Sequence, residues 1–382
     1  MHTLARLLVG LVCIGGHGWR LQHSRSAHSK LKCASCRTLP RSRTLLNMFQ
    51  ATTDEGMTED LAAVGRRAAE WCVAEGRGQA TVAVSRATSM EKVLRDVWAQ
   101  AQEFASKAGV PGKQRILAVP MWQEGVDIRP LFKKVWQVGI GMSQPLCSVV
   151  GKSVIIEMRH PDEAPPKGEQ DTVPCPLFLL HQKGENGASL PSAELLGGHP
   201  SDEQVLSQSR DWVEAIIVKM KVCPFSGTAD LAGMPQGGVA YPITHGASAE
   251  QVIADFWNQV VKLQSSSSKD MATVLLLAPR FAEDSPELWH ELERYLILCL
   301  GMLQLSGSWS LVFFHPQYTF HSANLPGDLT LDKMGGENSA VHYARRSPFP
   351  IINILRQSMV RKAQEHLKDS VYITNARNCQ KA

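Results

Sequence analysis

His315, Cys223 and the pair Arg345-Arg346 are the residues whose types and surroundings could do chemistry. His315 closes the apolar run Ser310–His315 and is followed by Pro316, which biases it toward extended backbone. A strand end of that kind lines a crevice in a parallel sheet, and an imidazole there can donate or accept a proton near neutral pH. The alternative is a ring that only hydrogen-bonds its own turn; His160-Pro161 repeats the pair without the motif around it. Cys223 lies in Val222-Cys223-Pro224-Phe225, behind an amphipathic stretch. A helix C-terminus opposes a thiolate, so a buried structural thiol stands against a nucleophilic Cys–His pair with His315.

Arg345-Arg346-Ser347-Pro348 is the most informative stretch. Ser347 suits an N-cap and Pro348 the first helical position, which predicts a helix over Pro348–His366. Two arginines beside the positive end of a helix are unfavourable unless an anion joins them. Arg345, Arg346, Ser347 and Arg356, with Tyr318, therefore form a candidate site for a small anion, a phosphate or a carboxylate. The phosphate-loop, dinucleotide, nucleophile-elbow and zinc-protease motifs are absent, and no cofactor is expected. His315, His321 and His342 lack close ligand spacing, so no metal is expected either.

These residues need elements to hold them, and the chain repeats its elements. VSRATSMEKVLRDVWAQAQ (84–102) parallels ITHGASAEQVIADFWNQVV (243–261) at an offset of 159 residues. Ser89, Glu91, Val93, Asp96, Trp98 and Gln100 meet Ser248, Glu250, Val252, Asp255, Trp257 and Gln259. Apolar residues recur at helical spacing in both, each behind a serine N-cap. RILAVP (115–120) parallels TVLLLAP (273–279), SVIIEMRHP (153–161) parallels SLVFFHP (310–316), and Trp71 matches Trp212. In the second copy strands are expected near Gly238–Ile243, Thr273–Ala278 and Ser310–His315. Helices are expected near Gln208–Met220, Ser248–Leu263 and Pro286–Met302. The fold class is α/β: two tandem repeats of alternating helices and strands with a mostly parallel or mixed sheet, the alternative being an α+β sandwich. The repeats are expected to pack as a pseudo-twofold pair. The domains read as a presequence over 1–53, a first repeat over 58–182, a linker over 183–206, a second repeat over 207–368 and a tail over 369–382. Leu325–Ser339 reads as a polar loop, a candidate lid.

The chain has 382 residues with 44% apolar and 20% charged content, ordinary for a globular protein. Its longest apolar stretch, Leu7–Gly16, is too short to span a bilayer, so no stable membrane insertion is expected. The net charge of +4 comes from the N-terminus, where eight basic residues and no acidic one precede Asp54. The remainder is mildly acidic, which disfavours nucleic acid as a partner. Leu7–Ile14 has the plan of a signal-peptide core, and the Ser- and Arg-rich stretch that follows has the composition of a transit peptide. The combination resembles the bipartite presequences of algae with secondary plastids. Plastid is the expected location and mitochondrion the alternative. Cys33-x-x-Cys36 falls inside this segment without a second ligand pair, and the six later cysteines are scattered among apolar residues, as free buried thiols would be.

Trp212…Val222-Cys223-Pro224-Phe225, then Phe314-His315-Pro316-Gln317-Tyr318-Thr319-Phe320, then Arg346-Ser347-Pro348-Phe349-Pro350…Leu355-Arg356-Gln357-Ser358 resemble the bacterial family catalogued as domain of unknown function 1415. The resemblance runs from about Ser207 to Lys368, and the first copy looks like a diverged relative. Arg345, Asn353 and Gln357 stand where the family pattern has Asn, His and Glu. The family is uncharacterised and implies no reaction. Two functions follow from the residues. One is a small-anion binding protein or enzyme, with His315 available for proton transfer. The other is a non-catalytic scaffold or assembly protein that uses the duplicated domain as an interaction surface.

Overall fold

The computed structural model describes residues 61–75, 80–106, 114–120, 129–148, 150, 154–162, 173–182, 200–220, 238–320, 340–365 and 378–379. The first half contains α1 (Leu61–Ala74), β1 (Ala80–Val84), α2 (Met90–Ser106), β2 (Gln114–Ala118), α3 (Arg129–Lys134), β3 (Val154–Arg159) and β4 (Leu177–Gln182). The second contains α4 (Asp202–Trp212), β5 (Gly238–Ala240), α5 (Ala249–Ser265), β6 (Met271–Leu277), α6 (Pro286–Met302), β7 (Trp309–Phe314), β8 (Ile351–Arg356) and α7 (Gln357–Glu365). Both α3 and α4 run on as π-helical stretches, Val135–Ile140 and Val213–Lys219. Among the described residues no helix is long and apolar enough to cross a membrane.

Local sequence explains where the helices start. Ser248 caps α5, taking the Gln251 N–H on its hydroxyl while the Gln251 side chain takes the Ser248 N–H. Ser201 and Gln204 repeat that capping box at α4. Helix α4 therefore begins at Asp202, inside the stretch that composition assigned to a linker and six residues ahead of the expected Gln208. Pro286 follows the Ser285 cap of α6, as the sequence predicts.

Each half builds one four-stranded mixed sheet, with strand orders β1-β2-β4-β3 and β5-β6-β8-β7. The pairing sense is the same in both. The first two strands are parallel, and the last strand in sequence lies antiparallel between the second and the third. Alternate side chains of these strands face two cores. Leu117, Phe178 and Leu180 join a core shared with Val274, Leu276, Phe313 and Ile352 of the other sheet. The opposite faces are covered separately, by α1 on the first sheet and by α4 on the second.

The expected helix over Pro348–His366 is a correction. Its first part is strand β8, and only Gln357–Glu365 is helical. Pro348 and Pro350 would be tolerated in a first helical turn, but Ile351, Ile352 and Ile354 are β-branched and buried. The run pairs with β6 on one side and β7 on the other, the environment that suits a continuous apolar strand. Ser347 is consequently no N-cap; its hydroxyl donates to the Phe349 carbonyl at 2.5 Å.

The halves meet through α2 and α5, which pack antiparallel with Val97, Trp98, Phe256 and Trp257 in one core. Equivalent polar groups hold equivalent loops. Ser85 donates to Asp96 at 2.5 Å and accepts from the Ala87 N–H; Thr244 donates to Asp255 at 2.5 Å and accepts from the Gly246 N–H. Gly246 is required there because a Cβ would lie 2.5 Å from that of Gln251.

Candidate functional site

Strands β5, β6 and β7 end on the same side of the second sheet, where β8 begins. His315 follows β7 directly and is fully buried. Its N–H donates to the Arg345 carbonyl at 3.1 Å, and its own carbonyl accepts from Tyr318 at 3.0 Å and Ser347 at 3.4 Å. Both ring nitrogens are engaged as well. Nδ1 accepts the Gln317 N–H at 3.1 Å, which leaves the proton on Nε2, donated to the Ala282 carbonyl at 2.7 Å. Ala282 has φ 58°, a left-handed conformation that costs a non-glycine residue about 1–2 kcal/mol. Burial pushes the His315 pKa below its ordinary value, opposed by the Ala282 bond, so the neutral ring is the folded form.

Beyond the turn lies a buried charged cluster. Glu293 of α6 is buried and Tyr318 fully so; the Tyr318 hydroxyl donates to Glu293 at 3.3 Å and accepts from Arg345 Nη1 at 2.7 Å. Arg345 Nη1 lies 3.7 Å from Glu293 Oε1, and its guanidinium sits over the rings of Tyr318 and Phe320, 5.2 and 4.8 Å from their centroids. His290, one turn before Glu293 on α6, stacks on Tyr318 at 5.1 Å, and its Nε2 lies 3.2 Å from the Thr319 carbonyl. Burial raises the Glu293 pKa, while Arg345, His290 and the Tyr318 hydrogen bond oppose the rise. Such a cluster can hold a charge balance, and it can hold or release a proton at Glu293.

The three arginines are not one site. Arg345 is matched by Glu293. Arg356 lies at the far end of β8 and donates to the carbonyls of Leu263, Ser266 and Met271, capping the C-terminus of α5. Its pKa is lowered by burial. Arg346 donates Nε to the Tyr318 carbonyl at 3.3 Å and lies over the exposed Tyr343 ring, 4.6 Å from its centroid. Among the described residues no carboxylate lies within ion-pair distance of Arg346. Tyr318 belongs to the cluster, and Ser347 faces its own turn. Cys223 and Leu325–Ser339 lie outside the described residues.

Trp212 joins the motifs. Its indole N–H donates to the Arg346 carbonyl at 2.6 Å, and its ring packs edge-on against Phe314 at 5.0 Å. Tryptophan, the His-Pro turn and the Arg-Ser-Pro stretch, far apart in sequence, thus meet at one end of one sheet. Residues 204–382 match the family described as protein of unknown function (DUF1415). The DUF1415 match starts inside α4, so the first half lies outside it. No curated protein and no solved structure matches the chain.

Sequence reading missed Glu293 and His290. The signal was present: Trp289, Leu292, Leu296 and Leu300 form the apolar stripe of α6, and Glu293 falls on that stripe beside them. A lone acid at a core-facing position needs a partner elsewhere in the fold, and Arg345 supplies it.

Proposed function

We propose that the DUF1415 half binds a small anion, a phosphate or a carboxylate, at the outer edge of this cluster, through Arg346 with Arg345 and Tyr318 beside it. The observation that carries the reading is the difference among the three arginines: among the described residues Arg345 is matched by a carboxylate and Arg356 is spent on carbonyls, while Arg346 meets one carbonyl and a ring. His315 shapes the site by holding the turn. With both ring nitrogens engaged by backbone, binding without proton transfer at His315 is the reading its geometry favours. A calorimetric screen of phosphate, sulfate and simple carboxylates on the full chain tests it. Arg346→Ala should weaken the best anion by roughly ten- to a hundred-fold, the size of a charge-assisted hydrogen bond, and Arg356→Ala should leave affinity unchanged. Equal binding to wild type and Arg346→Ala, or no binding of any anion, would overturn the assignment.

The first half is, in this reading, a diverged copy of the second. The identical strand order and the matched Ser85–Asp96 and Thr244–Asp255 bonds support it. The acid-free N-terminus supports delivery to a plastid; fluorescence from residues 1–60 fused to a reporter, seen outside plastids, would remove that proposal.

A further inference from the structure

Equivalent glutamates reach across between the halves, each to its own partners. Glu91, near the start of α2, reaches across to accept from Trp309 Nε1 at 3.3 Å and Gln264 Nε2 at 3.4 Å. Its equivalent Glu250, near the start of α5, reaches back to accept from the Ser148 hydroxyl at 3.3 Å, and its carbonyl accepts from Gln102 at 3.5 Å. Tyr295 of α6 adds a hydrogen bond to the Gly139 carbonyl at 2.6 Å. Helix α5 is buried on two sides, against its own sheet and against the first half, with even Glu250 and Gln259 removed from solvent. A helix apolar over so much of its circumference belongs inside a larger core than one half provides. Equivalent helices, α2 and α5, that cross antiparallel are the arrangement an isologous, self-complementary interface requires.

We propose that the first half acts as a built-in partner subunit: it covers the α5 face through which the motif-bearing half would otherwise pair with a second copy of itself. Its service is the face it offers, since the described cluster of Glu293, Tyr318, Arg345 and Arg346 draws every member from the second half. The partner that fits this face is a second copy of residues 200–382, with Glu250 of each copy reaching into the other.

The experiment uses the full chain with a protease site inserted between residues 183 and 199, cleaved after folding. The fragments should elute as one 1:1 particle and melt in a single transition. Native mass spectrometry of the cleaved protein, equilibrated in mild denaturant to speed exchange, should also show the second fragment paired with itself as a minor species. Glu91→Ala and Glu250→Ala should each raise the dissociation constant of the cleaved particle roughly ten-fold. Three results would each overturn the proposal: fragments that separate while keeping their circular dichroism, a second fragment never found with a copy of itself, or dissociation constants unmoved by both substitutions.

Discussion

In the first half, Nδ1 of His160 accepts the Asp162 N–H at 3.2 Å; in the second, Nδ1 of His315 accepts the Gln317 N–H at 3.1 Å. Each ring also faces an aromatic of the preceding helix, Phe132 of α3 at 5.9 Å and Trp289 of α6 at 6.1 Å. Four residues further along those helices the halves part. Trp136, in the continuation of α3, donates to the Ile156 carbonyl, whereas Glu293 of α6 meets Tyr318 and Arg345. At the start of the central strand, Val173-Pro174-Cys175-Pro176 occupies the place of Ser347-Pro348-Phe349-Pro350, as the matched bonds from Val119 to Pro176 and from Ala278 to Pro350 show. The comparison separates residues that build the framework both halves share from those that add charge in the second half. The His-Pro turn belongs to the framework; Glu293, Tyr318, Arg345 and Arg346 are the addition.

That division can be broken most forcefully at the tryptophans between the halves. Trp98→Ala and Trp257→Ala should each lower stability by about 3–5 kcal/mol, read by denaturant unfolding of the full chain, because both side chains are fully buried in the shared core. A large loss at one position and a small loss at the other would argue against an equivalent framework role.

Arg345→Met should come next. It leaves Glu293 buried without its counter-charge, at about 3 kcal/mol near neutral pH. Burial raises the Glu293 pKa, so the fold penalises its charged form, and more so once Arg345 no longer opposes the rise. The deficit should therefore be smallest below the unfolded value near 4.5 and grow as pH rises through the folded value. A deficit flat from about pH 5 to pH 8 would remove Glu293 as its cause.

His315→Ala should cost about 2 kcal/mol, since the ring satisfies one buried N–H and one buried carbonyl. Its deficit also shrinks in acid, but for a different reason, because here the wild-type ring itself loses its contribution there. With a folded pKa below the ordinary 6.5, the neutral ring's contribution is complete above that value and falls away as acid reaches the folded pKa. Thermal melts of wild type and variant between about pH 5 and pH 8 should converge on the acid side.

The smallest effects are expected at the hydroxyls that hold the loops after β1 and β5. Ser85→Ala and Thr244→Ala each remove one bond to an aspartate and one from a backbone N–H, for about 1–2 kcal/mol in either half. Matching losses in urea titrations would sharpen the equivalence; a loss confined to Thr244 would assign its bond to the second half alone.

Much of this framework is legible in the chain. Ser248 and Gln251 mark a helix start, the helical spacing from Val252 to Leu263 marks its buried side, and RILAVP and TVLLLAP mark strands, because these signals are local. Strand β8 is misread from sequence because Ser-Pro also opens helices. What decides against one is a pair of flanking strands, β6 and β7, that no local window contains. Nearness in sequence groups the arginines. A strand carries Arg356 to the opposite end of the sheet from Arg346, so an extended backbone disperses what a helix would have gathered. Glu293 escapes because its partners, Tyr318 and Arg345, come from two later segments.

The position of β8 bears on how the chain is made. Among the described strands of the second half it is the last to be synthesised, and it lies between two strands made before it. Until Ile351–Arg356 leaves the ribosome, β6 and β7 have no common neighbour, and each presents an unpaired edge of the kind that recruits other chains. The first half faces the same wait for β4, but that wait ends at Gln182, so its sheet can close while the second half is still being translated. The nascent protein thus offers a finished α2 face before α5 needs one, and a message broken before codon 351 yields a second half that cannot seal.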